Sequence, residues 1–517
     1  MHKVKHVSKT SILNELDSLK THFERMGYFN HKLDTLKIQD TLFTAYFDLG
    51  KSYESIRIFY NKKIIPKKIL YQITSKVTDS YFEIEIMQVP TVLHFLANHF
   101  EKEGNSFTTV QLDEITFQKN SLHSKLIINT STTRTIDKLI IEGFENFPKT
   151  FVKHYFNIKH KTIFSNQRLQ QLSNQVNTLA FVAENKSPAV LFTPDSTFVY
   201  LYLKKRKANK FDGLIGFTSD AIENKLQFNG YLDLSLTNIF NAGERISIYW
   251  KNNGDNKQFF DLNVEVPFIF NTALTPELGL YIYKQDSTFI TTKTNIALSH
   301  NIDYQNKLSL GFISETSSNL LDISTANIIN YNSSFYGASY HYRVLNNSSL
   351  FPIKLNFKLE AYLGSRNTTD SKTRQTRVNV AANYLWGLNF RNSIFLQNNS
   401  SILISDNVLT NELYRVGGVN SIRGFNEESI FASQLSILNV EYRYTTNNRS
   451  YLYSISDAGY IKNQFSDQSQ QIFSLGLGYA FTTNFGLLNL SYAVGKLNNL
   501  SFDFSNSKFH IKITSFF

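Results

Sequence analysis

The second half of the chain alternates between apolar and polar residues with a period of two. Leu226–Leu236 and Ile353–Leu363 keep this alternation over their whole length. Such a period places neighbouring side chains on opposite faces of a β-strand. The segments approach the ~10 residues with which a tilted strand spans a bilayer, whereas strands of soluble sandwiches are usually nearer 5–6. The pattern therefore predicts transmembrane strands.

Sixteen segments of this kind follow residue 210. An even number is typical of bacterial single-chain barrels, which close because lipid offers no partner to unpaired backbone groups. The predicted strands are 211–218, 225–236, 245–252, 258–268, 277–285, 292–302, 306–315, 334–345, 352–364, 376–387, 391–403, 435–446, 450–462, 471–482, 485–496 and 508–517.

The first 210 residues mix helical and strand periodicity in a recurring order. Residues 54–134 and 135–209 each predict a β-α-α-β-β unit, with a helix at 66–77 in the first of them. Residues 1–53 predict a partial unit without its opening strand, as a truncated N-terminus would leave. The exposed sheet edges of such units either accept an extended peptide or belong to passive spacers.

Composition agrees with a β-rich membrane protein. The chain is 42% hydrophobic, 14% aromatic and only 18% charged, a balance that favours strands over helices. Its net charge of +11 is spread along the chain, and basic runs such as Lys204–Lys207 are short. A solvated or membrane-proximal face is expected, and nucleic-acid binding is not.

The N-terminus of the chain and its longest apolar stretches bear on where the protein is located. Met1–His6 lacks the apolar core of a signal peptide, and no stretch approaches the ~20 apolar residues of a membrane helix. Either the protein is cytoplasmic and soluble, or the sequence begins downstream of its signal. The alternating C-terminal half favours the second alternative.

Nothing in the sequence predicts catalysis. Cysteine is absent, which excludes disulfides, thiolate metal sites and a cysteine nucleophile. No Ser-His-Asp spacing, phosphate loop or histidine cluster stands out, and His94 and His99 miss the i, i+4 spacing of a helical metal pair. We expect no catalytic residue, no cofactor and no metal. A passive porin would have no use for the N-terminal units.

The long link between the eleventh and twelfth predicted strands, residues 404–434, contains a glycine-rich stretch with one arginine. Glycine permits positive φ and close backbone approach, and arginine offers a planar fork of donors. An arginine folded into the barrel would need carboxylate partners. Alternation places Glu441 on the inner face, while the face of Asp457 is ambiguous. We call the following residues the loop latch: Gly417, Gly418, Ile422, Arg423, Gly424 and Phe425.

Ile422–Phe425 resembles the Arg-Gly-Phe/Tyr motif of the BamA/TamA outer-membrane assembly factors and the related two-partner secretion transporters such as FhaC. The alternating last strand, which ends on the aromatic Phe517, resembles their C-terminal strand. The resemblance implies periplasmic POTRA (polypeptide-transport-associated) domains followed by a sixteen-stranded transmembrane β-barrel. It also implies that Arg423 folds into the lumen and contacts Glu441 and Asp457.

The implied domains are a partial POTRA-like domain at 1–53, POTRA-like domains at 54–134 and 135–209, and an outer-membrane barrel at 210–517. The implied function is non-enzymatic: POTRA domains in the periplasm receive unfolded clients, and the barrel inserts or translocates them. The barrel seam would open between the first strand, which carries Gly213 and Gly216, and the last strand with Phe517.

Candidate partners are unfolded outer-membrane or secreted client proteins, outer-membrane lipid, and accessory lipoproteins or periplasmic factors. The alternative function is a two-partner secretion pore for one dedicated partner. Transporters of that type usually carry an N-terminal helix that plugs the barrel. Residues 1–30 look more like a POTRA helix, which favours an assembly factor.

Overall fold

A computed structural model gives the fold. None of the helices within its described ranges has both the length and the apolar character needed to cross a bilayer. The structure describes residues 6, 8–39, 42–118, 121–159, 161–219, 226–252, 257–321, 328–346, 348, 350–463, 468–483, 486–498 and 501–514, with the backbone alone at 214–219, 226–229, 468, 513 and 514.

The N-terminal region begins with a helix and a hairpin. Helix α1 (Lys9–Arg25) starts at Ser8, whose side chain accepts a hydrogen bond from Ser11 N. Strands β1 (Lys32–Gln39) and β2 (Leu42–Asp48) pair antiparallel. The rings of Phe23 and Phe47 lie 5.1 Å apart, so α1 packs against this hairpin.

The next segment forms a four-stranded sheet in the order β4-β3-β6-β5, in which β3 and β6 are parallel. Its core includes the fully buried Ile58, Phe82 and Leu96. The elements are β3 (Ser55–Phe59), α2 (Lys67–Leu70), β4 (Tyr81–Glu85), α3 (Val89–Lys102), β5 (Thr109–Gln118) and β6 (Ser121–Asn129).

The helix predicted at 66–77 is wrong in extent. Only one turn forms there, and β4 follows as an edge strand that the sequence reading missed. Burial explains β4, because Phe82 and Ile84 alternate with more exposed residues and reach the same core as Ile58. Tertiary packing thus outweighs local helical periodicity at this position.

Residues 135–205 follow the predicted β-α-α-β-β order, with a three-stranded sheet ordered β10-β11-β8 and a small β7-β9 pair. The elements are β7 (Thr135–Ile136), β8 (Lys138–Glu142), α4 (Lys149–His154), β9 (Thr162–Ile163), α5 (Asn166–Thr178), β10 (Val182–Phe192) and β11 (Thr197–Lys205).

The rest of the chain builds one sixteen-stranded antiparallel sheet, as predicted. Each strand pairs with its sequence neighbour among the sixteen. The first eleven strands are β12 (Lys210–Ser219), β13 (Leu226–Thr237), β14 (Arg245–Asn252), β15 (Gln258–Glu265), β16 (Leu274–Gln285), β17 (Phe289–Asn301), β18 (Asn306–Asn319), β19 (Tyr331–Leu345), β20 (Ile353–Asn367), β21 (Lys372–Gly387) and β22 (Asn392–Ser405).

A long loop then separates β22 from the last five strands. It contains a small hairpin of β23 (Tyr414–Val416) and β24 (Ile430–Ala432). The sheet resumes with β25 (Gln434–Asn447), β26 (Ser450–Asn463), β27 (Gln468–Thr483), β28 (Gly486–Leu497) and β29 (Lys508–Thr514). We call residues 406–433 the sixth loop.

The first strand of the sheet is β12, with 10 residues, and the last is β29, with 7 described residues. These two strands form the opposite edges of the sheet, and no backbone pairing joins them within the described ranges. Gly213 and Gly216 lie in β12, while Phe517 lies outside the described residues.

The two faces of the sheet differ as alternation predicts. On β25, Leu438 and Tyr442 are exposed, whereas Asn439 and Glu441 are buried on the other face. The exposed face is apolar, as required against lipid, and the buried face is the inner face of the barrel.

Candidate functional site

The tip of the sixth loop, residues 417–429, connects β23 to β24. Gly417 and Gly418 have φ of 123° and 91°, in the left-handed region that glycine adopts without strain. Their backbone N–H groups donate to Ser421 Oγ at 2.7 Å and to the Ile422 carbonyl at 3.1 Å. These bonds fold the tip into a compact turn that presents Arg423.

Arg423 binds Asp457 through three hydrogen bonds. Its backbone N and Nε donate to Oδ2 at 3.1 and 2.9 Å, and its Nη2 donates to Oδ1 at 2.5 Å. The Asp457 side chain is fully buried. Charged groups in such bidentate geometry form the stronger class of hydrogen bonds. The structure thus decides the face of Asp457, which alternation left ambiguous: it points inward from β26.

The second carboxylate at Arg423 is Glu441 of β25. Arg423 Nη1 donates to Glu441 Oε1 at 2.5 Å, and the opposite oxygen of Glu441 accepts from Arg443 Nε at 2.8 Å and Nη2 at 2.7 Å. Two arginines and two carboxylates therefore form one chain of ion pairs. Burial alone lowers the pKa of Arg423, but Asp457 and Glu441 together raise this pKa above its usual value.

An apolar cluster surrounds the ion pairs. Ile422 is 0% exposed. It packs with inner-face residues of three strands, namely Leu435, Ile437, Ile461 and Ile472. These apolar residues on the inner face are a feature that the sequence reading missed. The pattern of β25 carries the signal, since Leu435 and Ile437 share the parity of Asn439 and Glu441.

Two glycines allow the tip to approach β28. A Cβ added to Gly424 would lie 2.5 Å from Gly495 N, and one added to Gly495 would lie 2.5 Å from the Phe425 ring. The Gly424 N–H donates to His510 Nε2 on β29 at 3.3 Å. Lys512 Nζ, also on β29, donates to the side-chain oxygen of Asn420 at 2.7 Å. The loop tip therefore contacts the strands on one side of the seam.

The structure brings together the loop latch and both predicted carboxylates. It does not bring Gly213 or Gly216 into this site through any hydrogen bond of the described residues. Within the same ranges, no group of three or more histidine, cysteine, aspartate or glutamate side chains could hold a metal ion. What the arrangement offers is a mechanical attachment of a loop to the barrel wall.

The model of the haemolysin secretion/activation protein family ShlB/FhaC/HecB matches residues 218–481. The chain belongs to this family. Its members are outer-membrane transporters of the two-partner secretion type, which confirms the predicted relation to the BamA/TamA-type family and its two-partner secretion branch. The family is one of transporters and assembly factors, not of enzymes.

Solved structures share the fold. CdiB from Escherichia coli matches with a TM-score of 0.53 and 14% identity over 97% of this chain and 96% of that one. CdiB from Acinetobacter baumannii matches with a TM-score of 0.51 and 14% identity over 97% and 98%. POTRA-like domains followed by a sixteen-stranded outer-membrane barrel are thus confirmed as the fold. In a search of curated proteins, none matches this sequence.

Proposed function

We propose that this protein exports an unfolded secreted partner across the outer membrane. The POTRA-like domains, with proposed boundaries at 54–134 and 135–209 after a partial unit at 1–53, would receive the client in the periplasm. The barrel at 210–517 would pass it outward. Membership of a haemolysin secretion/activation family supports a secreted client.

The observation that carries the proposal is the attachment of Arg423 to two inner-face carboxylates. A loop inside the barrel occupies space that a client needs. The loop must therefore bind in one position and leave that position only when a client is transported. Removing one partner from a buried ion pair costs about 3–5 kcal/mol, because the remaining charge stays buried without compensation. The latch would therefore hold the loop in one position until the client engages.

Depletion of the protein tests which kind of client depends on it. We expect one secreted protein to disappear from the medium while the abundance of other barrel proteins in the outer membrane is unchanged. Quantitative proteomics of both fractions provides the measurement. Arg423→Ala should reproduce the secretion defect, and normal secretion by that variant together with an unchanged barrel stability would refute the role of the latch.

A second candidate function is the assembly of other barrel proteins. It is favoured by the two sheet edges, β12 and β29, which carry no mutual backbone pairing among the described residues. An unpaired edge can accept a strand of a client, and Gly213 and Gly216 would weaken β12 as a permanent partner. Loss of many barrel proteins upon depletion would support this function instead. Outer-membrane lipid and accessory lipoproteins or periplasmic factors are proposed partners in either case.

A further inference from the structure

The first limb of the sixth loop, residues 408–416, is attached to the wall by an ion pair of its own. Glu412 has a fully buried side chain. Its Oε2 accepts a hydrogen bond from Arg366 Nη1 of β20 at 2.5 Å, and its Oε1 accepts one from Gln375 Nε2 of β21 at 2.8 Å. Leu409 N also donates to Oε2, at 2.9 Å. The carboxylate thus has partners on both oxygens.

This attachment has the opposite polarity to that of the tip. At the tip, the loop supplies the cation of Arg423 and the wall supplies carboxylates. At the limb, the loop supplies the carboxylate of Glu412 and the wall supplies Arg366, whose side chain is only 3% exposed. Either charge, if left buried without its partner, would strongly destabilise the barrel. Arg423 therefore cannot bind where Glu412 binds, and Glu412 cannot bind where Arg423 binds, because each would meet a group of its own charge.

Further contacts fix the limb on neighbouring strands. Asn411 Nδ2 donates to Ser317 Oγ at 2.9 Å. Tyr331 Oη lies 3.3 Å from the Asn411 carbonyl and 2.6 Å from Glu315 Oε1. Glu315 in turn binds Arg377 in a bidentate pair at 2.5 and 3.2 Å. The limb therefore belongs to a polar network that extends over β18, β19 and β21.

Gly417 and Gly418 separate the limb from the tip. They are consecutive residues with positive φ, placed directly after β23. Paired glycines absorb large changes of backbone direction at low cost, which is a property of hinges. The sixth loop thus consists of two separately anchored parts, which meet at Gly417 and Gly418.

We propose that Glu412 and Arg366 form a positioning site that keeps the first limb on β20 and β21 when the Arg423 pairs are broken. Opening of the loop is then a movement of the tip, residues 417–429, away from β25 and β26, while the limb stays in the barrel. The inference rests on the proposed role of the loop in transport. It assigns to Glu412 and Arg366 the function of defining which part of the loop moves.

Spin labelling tests this division directly, since the chain has no cysteine of its own. One pair of labels measures the distance from the limb to the exposed Leu363 position of β20, with Thr410→Cys and Leu363→Cys. The other pair measures the distance from the exposed tip to the same position, with Asn426→Cys and Leu363→Cys. Double electron–electron resonance on the purified full chain in lipid nanodiscs then gives the two distance distributions.

In the presence of Arg423→Ala, we expect the tip distribution to lose its narrow peak while the limb distribution is unchanged. When Glu412→Gln is added to Arg423→Ala, the limb distribution should broaden as well. Broadening of both distributions by Arg423→Ala alone, or an unchanged limb distribution in the variant that carries both substitutions, overturns the proposal. Because no client is present, a failure here is distinguishable from a failure of the transport function.

Two controls separate loss of the Glu412–Arg366 ion pair from misfolding of the barrel. Each variant is first checked for heat-modifiable migration, which only a folded barrel shows. If Glu412→Gln fails this check, Arg366→Gln replaces it. In the Arg423→Ala background, the double exchange Glu412→Arg with Arg366→Glu should restore the narrow limb distribution, and a failure to do so in a folded barrel would contradict a role of the pair in positioning.

Discussion

The binding site of the loop tip on the inner face, which we call the seat, contains buried ion pairs. The four-stranded sheet of residues 55–129 contains a comparable ion pair that is exposed to water. At the seat, Arg423 is buried among Glu441, Asp457 and apolar side chains. In the sheet, Arg57 pairs with Glu83 at 3.0 Å, but Arg57 remains 41% exposed. Water screens the second pair and not the first. The same pair of residue types therefore specifies a position in the barrel and contributes little in the sheet.

The same charge reversal in both regions tests this contrast most strongly. Arg423→Glu places a third carboxylate beside two buried ones, and we expect it to cost at least about 3–5 kcal/mol of barrel stability and to abolish secretion. Arg57→Glu is the matched control, with an expected cost of about 1 kcal/mol or less. Thermal unfolding in detergent and a secretion assay measure both. Equal effects would remove the distinction between the regions.

Two buried isoleucines give the next largest effect. Ile422→Ala and Ile58→Ala each truncate a side chain that is 0% exposed, at an expected cost of about 2–4 kcal/mol. They should differ in place: Ile422→Ala is expected to release the loop tip to proteolysis, and Ile58→Ala to destabilise the sheet alone. Limited proteolysis with mass spectrometry locates the cleavage. The exposed Ile404→Ala serves as the control that should leave both regions intact.

A smaller effect is expected from a single methyl group at the seat. Gly424→Ala would bring a Cβ within 2.5 Å of Gly495 N at a φ of 79°, so the tip must move away from β28. We expect a loss of about 1–3 kcal/mol. Gly387→Ala is the control, because its Cβ would meet nothing within 4 Å. Comparable melting temperatures for the two variants would contradict close packing of the tip on β28.

The smallest expected effect concerns the sheet and depends on pH. Hydrogen bonds from Lys76 and Arg57 lower the pKa of Glu83 from its ordinary 4.5. A lowered pKa stabilises the folded state above the ordinary value, and this contribution is lost as the pH falls through the lowered one. Glu83→Gln should therefore destabilise β3 and β4 by less than about 1 kcal/mol near neutral pH and have no effect in acid.

Amide hydrogen exchange of β3 and β4 at about pH 6 and about pH 3.5 measures this difference. Glu85→Gln, at an exposed position of the same strand, is the control. A Glu83→Gln effect that persists undiminished at the lower pH would show that the side chain acts by packing and not by charge.

Much of the barrel could be predicted from the sequence because a strand that faces lipid on one side must alternate. The segment predicted at 245–252 matches β14 at both ends, and most other predicted strands differ from the structure by a few residues. The edge strand β4 was not predicted, because its five residues are too short a pattern to be distinguished from the helical periodicity around them. The position of Glu441 followed from parity, and that of Asp457 did not.

What the sequence by itself determined is the succession of strands, the inner position of Glu441 and the motif around Arg423. All of these follow from local periodicity or from adjacent residues. Only the tertiary structure decided that Asp457 shares Arg423 with Glu441, that Leu435 and Ile437 face the loop, and that Glu412 meets Arg366. These contacts join residues on different strands across the inner face. Their partners are set by the pairing order of the strands and by the path of the loop, which no local pattern encodes.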